Sequence, residues 1–202
     1  MVDFTKDIRD YYAREVRAIG SLDPAELSRA MNALLSCYER EGTVYAFGNG
    51  GSSATASHMA CDFNKGACAN VGKRFRFVCL NDNVPTLTAV ANDMSFDDVF
   101  FYQIEDKLRE GDLVLAISGS GNSRNVLKAA EYAKGQGIEI LAMTGYDGGR
   151  LDRLADYHLR VPADDMQIAE DLHMGFDHMM MQIFWRYLET RAGLKPERKT
   201  SK

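Results

Sequence analysis

The sequence predicts an α/β fold in which helices cover both faces of a doubly wound, five-stranded parallel sheet. Short aliphatic runs alternate with helical patterns along most of the chain, and this alternation is typical of parallel sheets. At residues 48–53 and again at 118–123, such a run is followed by a loop of Gly, Ser and Asn and then by a helical pattern. Two such loops are expected to meet at the carboxyl edge of the sheet, where open α/β folds bind ligands.

Two helices, together residues 4–41, are predicted before the first strand. The first has apolar residues at helical spacing, namely Phe4, Ile8, Tyr11 or Tyr12, Val16 and Ile19. The second begins with Asp23, Pro24 and Glu26, which are typical of the N-cap, N1 and N3 positions. The pair has more apolar residues than one sheet face requires. It therefore either forms an oligomer interface or covers the sheet.

The α/β core is predicted at residues 43–163, followed by a long final helix at 167–191. The predicted strands are 43–47, 75–80, 113–117, 138–143 and 157–161. The predicted helices within the core are 54–63, a short helix within 81–93, 95–108 and 125–134. Ser123 can cap the last of these. Residues 1–202 are predicted to form one domain, with a basic, solvated tail from Lys195.

Composition excludes several classes of protein. The chain has 202 residues, is 46% hydrophobic and 26% charged, and has a net charge of −5, as is ordinary for a globular protein. The acidic balance argues against a nucleic-acid partner. Neither a signal peptide nor an apolar stretch that could span a membrane is predicted. The four cysteines form no CxxC pair, so reduced thiols in the cytoplasm are expected.

The loop at 118–123, SGSGNS, is the first candidate for a ligand site. Serine hydroxyls donate and accept hydrogen bonds, glycines let the backbone approach a ligand, and a helix N-terminus attracts anions. The loop lacks the GxxxxGK[ST] pattern of nucleotide P-loops. It therefore suits one phosphate monoester, although such a sequence can also form an ordinary turn.

Two helices carry polar side chains suited to chemistry. His58 and Asp62 lie at i and i+4 on one helix face. They could form half of a metal site, a general base with its neighbour, or a simple surface pair. On the final helix, His173 and His178 are about 140° apart around the axis, and Glu170 and His178 roughly 80° apart. The two histidines therefore cannot face one site, and helix geometry alone does not choose between them.

Four motifs in order resemble those of the sugar isomerase (SIS) domain, and within it the phosphoheptose isomerases. They are GNGGSSATASH, AND at 91–93, SGSGNSRNV and TGYDGG. The resemblance covers roughly residues 4–188. It implies a flavodoxin-like fold and conversion of sedoheptulose 7-phosphate to D-glycero-D-manno-heptose 7-phosphate. It also implies a homotetramer with active sites between subunits, which often hold zinc.

The resemblance also implies roles for particular residues. The expected contacts to the sugar phosphate are Asn49, Gly50, Ser52, Asn92, Asp93, Ser118, Gly119, Ser120 and Ser123. The expected ligands of a divalent metal, zinc first, are His58, Asp62, Glu170 and His178. Asp62 and His178 are expected to transfer the proton.

The sequence departs from the family pattern at three positions. Asp62 stands in place of Glu, Glu170 in place of Gln, and Gly66, beside Lys65, in place of Arg. The carboxylate reach that is lost at 62 could be offset by the carboxylate gained at 170. Two histidines and two carboxylates suit zinc or a harder ion such as manganese. A closed site of four protein ligands would leave the ion structural unless one ligand yields to substrate.

These observations favour an aldose–ketose isomerase that works through an enediolate. The first alternative is a non-catalytic SIS module that binds a sugar phosphate or a protein partner, or an isomerase of another sugar phosphate. The changes at 62, 66 and 170 favour the non-catalytic module, and the presence of both His58 and His178 argues against it. A sugar-sensing transcription regulator is disfavoured, because the chain is acidic and has no helix-turn-helix segment.

Overall fold

The computed structural model describes residues 1–194, which form helices on both faces of a five-stranded parallel sheet. Its strands are β1 (Thr43–Gly48), β2 (Arg76–Cys79), β3 (Leu113–Ser118), β4 (Glu139–Thr144) and β5 (Tyr157–Arg160). Their order in the sheet is β2-β1-β3-β4-β5, and every pairing is parallel. The predicted α/β fold class is therefore confirmed.

Eight α-helices connect and flank these strands in the described part of the chain. They are α1 (Thr5–Gly20), α2 (Pro24–Glu39), α3 (Gly51–Cys61), α4 (Val84–Asp93), α5 (Phe101–Ile104), α6 (Arg124–Gly135), α7 (Gly149–Leu154) and α8 (Met166–Arg191). A π-helical turn, Asp62–Gly66, continues α3. None of the helices in residues 1–194 is both long and apolar enough to cross a membrane.

Alternate residues of the central strand β3 face two separate hydrophobic cores. Leu113, Leu115 and Ile117 pack in the core under α1, α2, α3 and α8. Val114 and Ala116 pack in the core under α4, α5, α6 and α7. Burial on both faces explains why this strand is a continuous aliphatic run instead of an alternating one.

The neighbouring strands β1 and β3 send their following helices to opposite faces of the sheet. The buried residues of α3 belong to the first core and those of α6 to the second. This is the topological switch point of the sheet, and a crevice opens there at the carboxyl ends of the strands. The loops 48–53 and 118–123 therefore border one crevice, as the sequence predicts.

The prediction of a helix over residues 95–108 is wrong. The segment instead forms a 3-10 turn, Phe96–Asp98, and the four-residue helix α5. The buried Gln103 side chain bonds the carbonyl oxygens of Leu80 and Val99, and Asp106 has a positive φ of 58°. The apolar residues of this segment pack into the second core from short turns, so their spacing resembles that of a helix.

The other predicted core elements and the two terminal helices begin and end within three residues of their observed bounds. At the start of α2, the Asp23 carboxylate accepts a hydrogen bond from the Ala25 N–H, and Pro24 is the first helical residue. The predicted solvated tail from Lys195 lies outside the described residues.

Helix α1 turns polar side chains towards the protein and its apolar stripe towards solvent. The Tyr11 hydroxyl donates a hydrogen bond to Asp171 of α8, and Arg14 pairs with Asp165 at 3.3 Å. The stripe residues are each more than half exposed, namely Phe4, Ile8, Tyr12, Val16 and Ile19. Helix α2, in contrast, packs on β1, β3 and β5. Of the two predicted helices, α2 covers the sheet and α1 does not.

The π-helical turn after α3 connects that helix to the edge strand β2. The Asn64 side chain donates a hydrogen bond to the Phe77 carbonyl oxygen at 2.8 Å and accepts one from the Phe77 N–H at 2.9 Å. Phe63 is fully buried beside Phe77 and Phe184. Gly66, where the resembled family usually has Arg, faces Met181 of α8. The turn is thus fixed on three sides.

Candidate active site

The loop after β3 turns its hydroxyl groups towards one another. Ser118 Oγ and Ser123 Oγ lie 3.1 Å apart, and the Ser120 carbonyl oxygen accepts a hydrogen bond from Asn122 Nδ2 at 2.8 Å. Ser123 occupies the N-cap position of α6, but its side chain does not cap the helix. The capping prediction is therefore wrong, because the hydroxyl lies against Ser118 instead.

Close contacts of the loop after β3 with the loop after β4 and with the start of α8 explain the glycines at the crevice. A Cβ on Gly119 would lie 2.4 Å from Met166 Sδ, and a Cβ on Gly121 would lie 1.9 Å from the Gly148 carbonyl oxygen. Gly121 also has a φ of 64°, which favours glycine. The Gly145 N–H donates to the Gly119 carbonyl oxygen at 2.8 Å. The loop after β3 is thus held in place by the loop after β4 and by the start of α8.

A reciprocal amide pair joins the two sides of the switch-point crevice. Asn49 Nδ2 donates to Asn125 Oδ1 at 2.8 Å, and Asn125 Nδ2 donates to Asn49 Oδ1 at 2.9 Å. Asn125 is buried in α6, so this pair fixes the half-buried Asn49 side chain. Asn125 is not among the residues predicted from the sequence. The sequence signal that could have identified Asn125 is a polar residue directly before Val126 and Leu127, which are buried in α6.

The other residues expected to contact the sugar lie at different depths. Gly50 is exposed at the N-cap of α3, and Ser52 is buried in its first turn. Asn92 and Asp93 are both exposed at the end of α4, and Asn92 Nδ2 donates to Asp93 Oδ1 at 2.7 Å. The structure thus holds Asn49 against the start of α6, directly after the loop 118–123. The Asn92 amide, in contrast, donates its hydrogen bond to the adjacent residue Asp93.

Three of the predicted metal ligands meet between α3 and α8. His58 Nε2 lies 3.6 Å from Asp62 Oδ2 and 3.3 Å from His178 Nε2. One ligand atom from each of these residues, and one from Asp177, all lie within 4.8 Å of one another. We call His58, Asp62, Asp177 and His178 the histidine–aspartate cluster.

Asp177 belongs to this cluster although it is not among the predicted site residues. It is fully buried, and in residues 1–194 neither of its carboxylate oxygens has a hydrogen-bond partner. The pKa of Asp177 is raised to about 7, mainly by burial and also by the nearby Asp62 carboxylate, while His178 acts in the opposite direction. Its position next to His178 is the sequence signal that could have identified it.

Glu170, the fourth predicted metal ligand, lies outside the histidine–aspartate cluster. Its carboxylate packs on Gly51, where an added Cβ would be 2.5 Å from Glu170 Oε2. The angle between Glu170 and His178 left a shared site open, but eight residues of helix also separate them by about 12 Å along the axis. Gly51 and His58 of α3 lie beside Glu170 and His178 of α8, so the two helices run in the same direction along one groove.

His173 faces away from this groove, as its angle from His178 predicts. It is fully buried, and its Nε2 lies 3.1 Å from the Thr144 carbonyl oxygen at the end of β4. Burial lowers the pKa of His173 to about 4, although the bond to Thr144 partly opposes this effect. A neutral imidazole therefore fixes α8 against the sheet.

We expect His173 to make the protein less stable in acid. Its folded pKa of about 4 lies below its ordinary value of 6.5, so below pH 6.5 the unfolded chain binds a proton that the folded chain does not. The stability is present above pH 6.5 and falls, by about 3 kcal/mol in total, as the pH drops towards 4. Urea unfolding of metal-stripped protein across this range should show a smaller fall for His173→Gln. Equal slopes would contradict this expectation.

Comparison with known proteins agrees with this arrangement. Residues 9–145 match the profile of the SIS domain family. A phosphoheptose isomerase of Helicobacter pylori (strain P12) is 35% identical over 161 residues, 80% of this chain and 83% of that protein. A probable phosphoheptose isomerase of Thermoplasma volcanium is 33% identical over 181 residues, 90% of this chain and 92% of that protein. The chain belongs to the SIS domain family, among the phosphoheptose isomerases.

Solved structures of this isomerase family share the fold. The phosphoheptose isomerase of Neisseria gonorrhoeae has a TM-score of 0.82 and 30% identity, covering 90% of this chain and 98% of that one. The phosphoheptose isomerase of Francisella tularensis has a TM-score of 0.84 and 28% identity, covering 92% and 100%. The resemblance of the four motifs is thus confirmed over nearly the whole SIS domain.

The histidine–aspartate cluster of this SIS domain fits a divalent metal. It offers two imidazole nitrogens and two carboxylates, which are donors that zinc accepts. A buried carboxylate without a hydrogen-bond partner is unfavourable, and a cation between these donors would remove that cost. The donor set and the buried Asp177 are therefore consistent with the metal that the family resemblance implies.

Proposed function

We propose that the protein is an aldose–ketose isomerase that interconverts sedoheptulose 7-phosphate and D-glycero-D-manno-heptose 7-phosphate. The observation that carries the proposal is the pairing of two features in one SIS domain. A serine-rich loop lies at the switch point of the sheet, and His58, Asp62 and His178 meet in the groove between α3 and α8. The names of the relatives supply the substrate.

The phosphate end of the sugar binds the loop after β3. Ser118, Ser120 and Ser123 provide hydroxyl groups, Gly119 allows close approach, and the N-terminus of α6 favours the negative charge. The remaining proposed sugar contacts are Asn49, Gly50, Ser52, Asn92 and Asp93. Binding energy from the remote phosphate holds the reacting carbons in place for proton transfer.

Asp62 and His178 carry the proton transfer. Asp62 removes a proton from C1 of the ketose, while His178 donates a proton to the oxygen of the C2 carbonyl, and an enediol results. Return of a proton to C2, with loss of the proton from the C1 oxygen, gives the aldose. Asp62 is half-buried and His178 is exposed, so both side chains keep some surface that a substrate in the groove can reach.

A divalent ion, zinc first, is the proposed cofactor, with His58, Asp62 and His178 among its ligands. When bound, such an ion polarises a carbonyl oxygen and stabilises the negative charge of an enediolate. Glu170, the fourth ligand implied by resemblance, lies about 12 Å along α8 from His178.

A homotetramer is the proposed assembly, and a cytoplasmic location is proposed with it. The exposed stripe of α1 and an apolar groove of about 410 Å³ between α2 and α8 are surfaces that a second copy can bury. All four cysteines are free, and Cys37, Cys68 and Cys79 are buried. Free thiols support a reducing compartment.

Charges on the stripe should therefore break the assembly. The double variant Ile8→Glu and Val16→Glu places two carboxylates on the exposed stripe of α1. Light scattering after size exclusion should show a shift from oligomer to smaller species. The matched control Lys6→Glu and Arg9→Glu changes exposed charges of the same helix without touching the stripe. An oligomer that survives the stripe variant would mean that another surface holds it together.

A turnover assay tests the proposed activity directly. Metal-stripped protein is given sedoheptulose 7-phosphate, with and without zinc or manganese, and the aldose product is followed. Turnover supports the isomerase, and its dependence on the ion tests the cofactor. Folded protein that binds the sugar phosphate without turning it over would instead support a non-catalytic SIS module or a different sugar phosphate.

A further inference from the structure

We propose that Asp177, in place of Glu170, supplies the second carboxylate of a divalent-metal site with His58, Asp62 and His178. The inference rests on the proposed function only for the location of the site. Its test is metal binding, which can succeed or fail independently of turnover.

The separations of the donor atoms suit a single ion. His58 Nε2 lies 3.3 Å from His178 Nε2, 3.6 Å from Asp62 Oδ2 and 3.8 Å from Asp177 Oδ2. A tetrahedral zinc ion with bonds of about 2.0–2.2 Å places its ligands about 3.3–3.6 Å apart. Small side-chain shifts would therefore bring all four donors to one ion.

Within residues 1–194, the surroundings of Asp177 offer no hydrogen bond that would account for a buried carboxylate. The residue is fully buried, its helix neighbours Phe176 and Met180 belong to the hydrophobic core, and both of its oxygens lack a hydrogen-bond partner within residues 1–194. An ionised carboxylate in such a place is strongly unfavourable unless it is paired. A cation at the histidine–aspartate cluster would pair it, and two carboxylates with two neutral imidazoles would balance a divalent charge.

The same geometry separates Glu170 from the ion. Its carboxylate lies against Gly51 at the start of α3, and seven residues of helix place it about 10.5 Å from Asp177 along α8. One ion at the histidine–aspartate cluster therefore does not reach the Glu170 carboxylate where it lies. Glu170 stays beside the first glycine-rich loop, at the end of the groove nearest the sheet edge.

The ligands also differ in their exposure to solvent. Asp177 is on the inner side of the cluster and is fixed by the core, whereas His58 and His178 are exposed. The buried carboxylate therefore anchors the ion, and the exposed side of the site is where a substrate oxygen could approach.

Zinc binding to two matched variants tests the assignment. Full-length protein is stripped with a chelator, and its zinc affinity is measured by competition with a chromophoric chelator. Loss of even an outer-shell partner of a metal ligand costs about 10–100-fold in affinity, so Asp177→Asn should cost at least about 100-fold. Glu170→Gln should stay within about threefold of the parent. With Co²⁺ as probe, the intense visible bands of a four-coordinate ion should be lost in Asp177→Asn alone.

Three results would overturn the assignment. The first is weaker zinc binding in Glu170→Gln with unchanged binding in Asp177→Asn. The second is a parent protein that binds neither zinc nor Co²⁺. This result would not contradict the proposed function, because the isomerase could still be active without a metal. The third concerns folding: metal-stripped Asp177→Asn should melt at or above the parent temperature, since it removes a buried charge. A marked fall would show that the carboxylate has a structural partner instead.

Discussion

Asp62→Asn should reduce kcat for the isomerisation by about 10²–10⁴-fold, the usual contribution of a positioned general base. The amide keeps the shape of the side chain but cannot accept the proton, and it is also a poorer metal ligand. The Asp62 carboxylate lies 3.6 Å from His58, so the substitution changes the centre of the cluster without a change of volume. Turnover of sedoheptulose 7-phosphate in the presence of saturating zinc is the measurement.

Two further variants make this result specific. The control variant Glu110→Gln should turn over as fast as the parent. Glu110 is an exposed residue just before β3, at the amino ends of the strands and so away from the crevice. Asp62→Glu keeps a carboxylate and restores the family residue, so it should lose less activity than Asp62→Asn and at most about a hundredfold, the cost of a shift of roughly 1 Å in a reacting group. If Asp62→Asn is as active as the parent, Asp62 is not the base.

Gly121→Ala should destabilise the protein by about 2–5 kcal/mol, the sum of backbone strain and overpacking. Gly121 has a φ of 64°, and an added Cβ would lie 1.9 Å from the Gly148 carbonyl oxygen. That oxygen belongs to the backbone of the next loop, which cannot move aside without disturbing the start of α7. Urea unfolding followed by circular dichroism measures the change.

A glycine at the far end of α6 is the matched control. Gly135 ends α6, and a Cβ there would meet nothing within 4 Å. Gly135→Ala should be neutral or should stabilise by about 0.4–1 kcal/mol. Equal stability losses for the two variants would mean that the contact between the loops after β3 and β4 is not what requires Gly121.

Much of the fold was predictable because its signals are local. The aliphatic run of β3 and the Gly/Ser loop that follows it identify a buried parallel strand and the turn at its carboxyl end. The start of α2 was predictable for the same reason, since Asp23 and Pro24 act on their own neighbours. The segment 95–108 was not predictable, because the hydrogen bond of Gln103 to the Leu80 carbonyl oxygen depends on how distant parts of the chain meet.

The candidate site was predictable for residues that share a helix turn. His58 and Asp62 meet because they are four residues apart on α3 and the π-helical turn that continues it. The angle between His173 and His178 showed that only one of them can face the groove, but did not say which. The position of Glu170 depends on how α8 lies along α3, which no spacing within one helix gives. The sequence signal for Asp177 is only its position next to His178, and its burial and missing partners are what make it a candidate ligand.

The hydrogen bonds of Asn64 to the edge strand have a consequence for behaviour at high concentration. A bare sheet edge is a template on which the strand of another molecule can add, and repeated addition leads to fibres. Asn64 occupies both the N–H and the carbonyl oxygen of Phe77, so at this point the edge has no groups to offer. Addition of a foreign strand is thereby blocked at Phe77, which makes open-ended growth along this edge less favourable at high protein concentration.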